Sequence, residues 1–261
     1  MPRTAHEITY EIAGQGEPIV FLHGIGSNSR SWRRQLEDFS DQYTAVAWDA
    51  PGYRGSIDPD HSWRMTDYAA ALNTFLADLE LDRIHLVGLS MGGVIASEFC
   101  RLHQDRLLSL VLADTHRGGA AKDPPKAQDR ALNDRLTAFR TKSRDQFARE
   151  RVPRLLSPEA SPELINDAID IMKEIRSPGY EIAAIALAES DVRDVLPKIR
   201  VPTLVICGEL DRVCPPEEAE RIAAAIPAAQ LEIIPGAGHQ SNQERPAEFN
   251  NAVRRHIISS S

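Results

Sequence analysis

The chain has 261 residues, enough for one large domain with an ample core or for a core domain that carries an insertion. Its 42% apolar and 26% charged content falls in the ordinary soluble globular range. A net charge of −8 favours solubility and argues against nucleic acid as a partner.

Met1 to Gly14 lacks the apolar core of a signal peptide, and the longest apolar runs have only strand length. No membrane span is expected, and the cytoplasm is the expected compartment. His6–Ala13 alternates weakly at Ile8, Tyr10 and Ile12, which predicts an antiparallel edge strand ending at Gly14-Gln15-Gly16. Pro18–Leu22 reads as a short buried strand that runs into His23-Gly24-Ile25-Gly26. Trp32, Leu36 and Phe39 carry helical spacing, Thr44–Trp48 is the next buried strand, and Asp49-Ala50-Pro51-Gly52 turns out of it. A one-sided apolar stripe from Tyr68 to Leu79 predicts a helix over 66–80. Next come an apolar strand from Ile84, a helix over 91–103 and the strand Leu107–Ala113.

Short apolar strands alternating with amphipathic helices imply an α/β fold, with a parallel sheet covered on both faces. From about Arg117 to Leu196 the pattern changes. No buried strand is evident there, and helices are predicted near 126–150, 161–174 and 179–190. Pro124-Pro125, Pro153, Pro158, Pro162 and Pro178 punctuate this segment, which reads as a helical insertion. Sheet grammar resumes at Val201–Gly208, followed by a helix near 216–226 and a last strand, Gln230–Ile234. A helix over about 246–257 closes the chain, and Ser259–Ser261 are expected to fray. The expected organisation is a core of residues 1–116 and 197–261 with a helical cap of residues 117–196.

Gly88-Leu89-Ser90-Met91-Gly92-Gly93 joins the strand from Ile84 to the following helix, the strand–turn–helix context of a nucleophile elbow. Taken alone, the pentapeptide also fits a structural Gly-Ser turn. A serine hydroxyl needs a base within hydrogen-bond reach. His239, in Gly236-Ala237-Gly238-His239, follows the last strand, at the edge where open parallel sheets form their sites. The base in turn needs a carboxylate to fix its tautomer. Asp211, after the strand 203–207, supplies one in the chain order Ser90, Asp211, His239. Asp114, at the end of the strand 107–113, is a rival for that role, and Glu209 is expected to face solvent or cap its turn.

Backbone N–H groups of Met91 and Ile25 are the expected oxyanion donors. His23, at the mouth of a strand, reads as a loop-bracing residue and not as a second base. Cys100, Cys207 and Cys214 show neither a disulfide framework nor zinc spacing. Cys207 is expected in the core and Cys214 as an incidental loop thiol. With His239 as the base, activity falls as it protonates, with an apparent pKa of roughly 6–7.

These motifs resemble those of the serine-nucleophile, cap-bearing α/β-hydrolases: His23-Gly24-x-Gly26, Asp49-x-Pro51-Gly52, the Ser90 elbow, Gly208-x-x-Asp211 and Gly238-His239, in that order. The resemblance covers essentially the whole chain. It implies a mostly parallel sheet, a helical cap between the sixth and seventh core strands, and hydrolysis with no cofactor or metal. Only one strand is evident before Pro18, so the family's antiparallel first hairpin is expected in reduced form. Haloalkane dehalogenases and epoxide hydrolases carry an aspartate where this chain has Ser90, and interfacial lipases carry larger apolar lids.

The elbow and the chain length look similar to those of 3-oxoadipate enol-lactonases and their esterase relatives, which implies a small ester or lactone substrate. Two other readings stay open. One is a C–C bond hydrolase of ring-cleavage products, whose elbow often reads Gly-Asn-Ser-Met-Gly. The other is a non-catalytic ligand receptor that keeps the hydrolase shell. An acidic substrate would need a cation, for which Arg30, Arg117, Arg140, Arg144, Arg151 and Arg154 are the candidates, most of them on solvated helix faces.

Overall fold

Inner strands of a parallel sheet must be apolar on both faces, and β3 (Glu17–Leu22) illustrates the rule. Ile19 and Phe21 join one apolar cluster, Val20 and Leu22 the other, and all are fully buried. A computed structural model of the chain describes residues 3–5, 7–121 and 125–260. Its remaining strands are β1 (Arg3–Ala5), β2 (Ile8–Ala13), β4 (Tyr43–Trp48), β5 (Ile84–Leu89), β6 (Leu107–Ala113), β7 (Thr203–Gly208) and β8 (Gln230–Ile234). They form one eight-stranded sheet in the order β1-β2-β4-β3-β5-β6-β7-β8. The β1–β2 and β2–β4 pairs are antiparallel, and every other pair is parallel.

Helices cover both faces. Apolar side chains of α2 (Met65–Asp78), α3 (Met91–His103) and α8 (Pro216–Ala225) pack into the cluster of Val20 and Leu22. Those of α1 (Arg33–Phe39) and α10 (Pro246–Ser260) pack into the cluster of Ile19 and Phe21. Between β6 and β7 run α4 (Pro125–Thr141), α5 (Arg144–Leu155), α6 (Pro162–Met172) and α7 (Gly179–Glu189). Phe139, Phe147, Val152 and Tyr180 of this insertion belong to the same apolar cluster as Leu22 and Trp48, so the insertion shares the core. Among the described residues, no helix is long and apolar enough to cross a membrane.

Three expectations change. A second strand, β1, precedes β2 and pairs Ala5 with Ile8, so the first hairpin is present though short. Three residues are too few to show a period. The helix expected over 126–150 is two helices, because the Ser143 hydroxyl accepts from Gln146 N at 3.2 Å and the Gln146 side chain accepts from Ser143 N at 3.2 Å. That reciprocal cap starts a new helix. The last helix does not fray at Ser259, since the Ser259 and Ser260 hydroxyls donate to the His256 carbonyl at 2.8 and 2.7 Å. Pro124, Ser261 and His6 lie outside the described residues.

Candidate active site

The elbow is held by sterics. Ser90 sits at φ 56°, ψ −115°, a left-handed conformation that a side-chain-bearing residue adopts only when its surroundings over-determine it. A Cβ on Gly88 would stand 2.3 Å from the Gly92 carbonyl oxygen, and one on Gly92 would stand 2.2 Å from that of Leu22. Strand and helix therefore cross in contact only because both positions are glycine. Ser90 N donates to the Ala113 carbonyl at 2.9 Å, and the Thr115 hydroxyl donates to the Ser90 carbonyl at 2.7 Å. The serine is thus pinned from β6.

His239 and Asp211 arrive from the loops after β8 and β7. His239 Nε2 lies 3.0 Å from Ser90 Oγ, and Nδ1 lies 2.8 Å from Asp211 Oδ2. The other Asp211 oxygen accepts from the amides of Val213 and Cys214, at 2.7 and 2.9 Å. A carboxylate so held accepts from Nδ1–H, which leaves Nε2 as an acceptor facing the hydroxyl. The insertion contributes as well, because His239 N donates to the Leu155 carbonyl of α5 at 2.7 Å. Ser90, Asp211 and His239 are all buried.

The rivals are elsewhere engaged. Both carboxylate oxygens of Asp114 are committed to other donors. Its Oδ1 accepts from Gly208 N at 2.9 Å, and its Oδ2 accepts from Ser241 N and Oγ at 3.1 and 2.6 Å. It ties the end of β7 to the short helix α9 (Ser241–Glu244). Burial, with the Asp211 charge beside it, pushes its carboxyl up to about 7. Glu209 accepts from Gly236 N at 2.9 Å on an exposed turn.

Cys214 lies in the loop after β7, as expected. It is buried, and its sulfur, the Asp211 carboxylate and the His239 ring lie within 4.8 Å of one another. Asp114, Cys207 and Asp211 form a second such group. Burial raises the Cys207 thiol far above its ordinary value.

The loop after β3 packs directly on the serine, since a Cβ on Gly24 would stand 3.1 Å from Ser90 Cβ. His23 braces this loop. Its Nε2 accepts from Ala50 N at 3.0 Å and its Nδ1–H donates to the Gly24 carbonyl at 2.9 Å. Burial lowers its pKa to about 4, so it stays neutral. Among the described residues, nothing accepts from the backbone N–H of Ile25 or Met91. Met91 follows the serine directly, and Ile25 follows Gly24 in the loop that packs on it.

Residues 19–252 match the model of the alpha/beta hydrolase family. The chain belongs to that family. It is 28% identical to a 3-oxoadipate enol-lactonase of Acinetobacter baylyi, over 94% of this chain and 91% of the relative. It is 31% identical to a putative non-heme chloroperoxidase of Synechocystis, over 94% of this chain and 92% of the relative. A thermophilic esterase from Thermogutta terrifontis, solved with malate bound, superposes with a TM-score of 0.88 at 30% identity, over 100% of this chain and 98% of that one.

In this hydrolase a cavity of about 70 Å³ opens onto Ser90 and His239. Its wall takes Ile25, Trp32 and Leu89 from the core, and Arg135, Arg151, Leu155 and Leu187 from the insertion. Of the arginines expected as substrate cations, Arg30, Arg117 and Arg140 pair with Glu174, Glu218 and Glu181. Arg144 lies 3.6 Å above the Phe139 ring, and Arg154 is exposed. Arg151 alone of that set lines the cavity. Arg135, which the sequence does not single out, joins it there.

Proposed function

We propose that this hydrolase cleaves small carboxylic esters or lactones through an acyl-enzyme on Ser90. The observation that supports the reading is the continuous contact from Asp211 through the His239 ring to Ser90 Oγ, at 2.8 and 3.0 Å. His239 Nε2 takes the hydroxyl proton as Oγ bonds to the carbonyl carbon. The Ile25 and Met91 amides hold the oxyanion that forms. Collapse of that intermediate breaks the ester C–O bond, and His239 returns the proton to the departing oxygen. Water then gives a proton to His239 and attacks the acyl carbon, and Oγ leaves with that proton. Asp211 fixes the ring tautomer and stabilises the transient imidazolium.

The enol-lactonase and esterase relatives support a carbonyl substrate of this class. A C–C bond hydrolase would share the machinery, and a receptor would have no need of it. The test is turnover of p-nitrophenyl acetate and 3-oxoadipate enol-lactone by the wild type and by Ser90→Ala. The wild type should cleave both, and Ser90→Ala should lose about 10⁴-fold or more in kcat. Cleavage of neither by the wild type would remove the ester and lactone reading. Full activity in Ser90→Ala would remove the acyl-enzyme.

A further inference from the structure

The chain carries 38 Asp and Glu against 30 Lys and Arg, yet no carboxylate lines the cavity over Ser90. Two arginines do, Arg135 on α4 and Arg151 on α5. Both residues are half-buried. Among the described residues neither has an ion-pair or hydrogen-bond partner, and Arg151 lies over the Phe147 ring, 5.5 Å from its centroid. In a chain this acidic, surface arginines find partners readily, as Arg30, Arg117 and Arg140 do. Burial pulls the Arg151 guanidinium below its ordinary value; the Tyr180 hydroxyl works against this, and the neighbouring charges of Arg135 and Arg154 push the same way as burial. A guanidinium nonetheless stays charged in proteins, so the cavity holds positive charge with no counter-charge in its wall. Holding like charges together with part of their water removed is costly, and a bound anion offsets that cost.

We infer that Arg135 and Arg151 bind a carboxylate of the substrate, so that the physiological substrate is a small ester or lactone bearing its own acid group. The inference rests on the hydrolase reading for the word ester, but the anion site stands on the cavity alone. The planar fork of a guanidinium matches a carboxylate in two parallel hydrogen bonds. A cavity of about 70 Å³ has room for roughly five to seven water-sized groups, which keeps the whole substrate small. Arg30, Arg117, Arg140 and Arg144 are excluded from the role by their present engagements.

The experiment compares monomethyl succinate, which keeps one carboxylate, with dimethyl succinate, which has none. The wild type should favour the monoester in kcat/KM. Arg151→Gln should lower the monoester-to-diester ratio about ten- to hundred-fold, mostly through KM, with Arg135→Gln acting in the same direction. Arg151→Lys, which keeps the charge and loses the fork, should recover part of the ratio. A ratio that neither Gln variant moves overturns the inference. A second readout needs no turnover: calorimetric binding of succinate and of succinamide to Ser90→Ala, with and without Arg151→Gln. Succinate should bind, succinamide should bind far more weakly, and Arg151→Gln should remove the difference. Succinate binding without cleavage of either ester keeps the anion site and sinks the hydrolase reading. Cleavage of both esters with no carboxylate preference does the reverse.

Discussion

Gly92 has no tolerance for a side chain. A methyl group there would stand 2.2 Å from the Leu22 carbonyl oxygen, and backbone on both sides leaves no rotamer to relieve it. Gly92→Ala should therefore destabilise the fold by about 3 kcal/mol or more, read as a large drop in Tm or as insoluble expression. An unchanged Tm would mean that strand and helix part easily. The elbow was legible in the sequence because its requirement is local: a small residue on each side of one strained serine. The choice between Asp114 and Asp211 was open at that stage. Both follow the C-terminal ends of neighbouring strands, and what separates them is which way each side chain faces. Asp211 reaches the His239 ring, with two amides of its own loop closing its other oxygen. Asp114 faces Ser241 and Gly208. Periodicity carries no such information.

At the scale of elements, the insertion both roofs the cavity and holds the loop of the base, through the His239 N to Leu155 carbonyl bond. Its clamp to the core is Arg176, between α6 and α7. Arg176 Nε donates to the Arg54 carbonyl at 3.0 Å, a second nitrogen donates to the Ser56 carbonyl, and the third atom of the fork pairs with Asp58. Arg176→Ala should cost about 1 kcal/mol, since the side chain is about a third exposed. Hydrogen exchange should quicken at residues 54–58 and at the start of α7, and KM should rise several-fold while kcat holds. Exchange that is unchanged in both places would show that the other contacts of the insertion, Glu174 with Arg30 and Arg54 among them, seat it without Arg176. The helices of this segment were visible as polar, Ala-rich stretches without strands. The break at Ser143 is written in the capping signature of Ser143-Arg144-Asp145-Gln146, not in the apolar periodicity, which does not mark it. Which arginines face inward was not legible either. Arg130, Arg135, Arg140, Arg144, Arg149, Arg151 and Arg154 are spread around all sides of α4 and α5, so no stripe marks the cavity.

For the whole molecule, two buried groups set opposing pH dependences of stability. His23 is depressed from 6.5 to about 4 in the fold. Its contribution is fully present above 6.5 and is lost as pH falls through about 4. Asp114 is raised from 3.8 to about 7. Its contribution is fully present below 3.8 and is lost as pH rises through about 7. Each linkage is on the order of 3–4 kcal/mol, so between pH 7 and pH 4 they largely offset each other. The buried histidines His85 and His256 are also depressed and lie on the His23 side of the balance. The wild type should therefore lose stability only gently on acidification through this window. Asp114→Asn removes the one large term that favours the fold in acid, so its stability should fall more steeply from pH 7 to pH 4, by roughly 3 kcal/mol over the window. His23→Gln should do the opposite and flatten or reverse the loss. Urea midpoints at pH 7.5, 6 and 4.5 for the three proteins measure these slopes. The slopes are independent of whatever each substitution costs in hydrogen bonds, because that cost is the same at every pH. Parallel curves for the wild type and Asp114→Asn would mean that Asp114 is ionised throughout. Two carboxylates would then carry full charge beside His239, and the histidine would be held by both rather than by Asp211 alone.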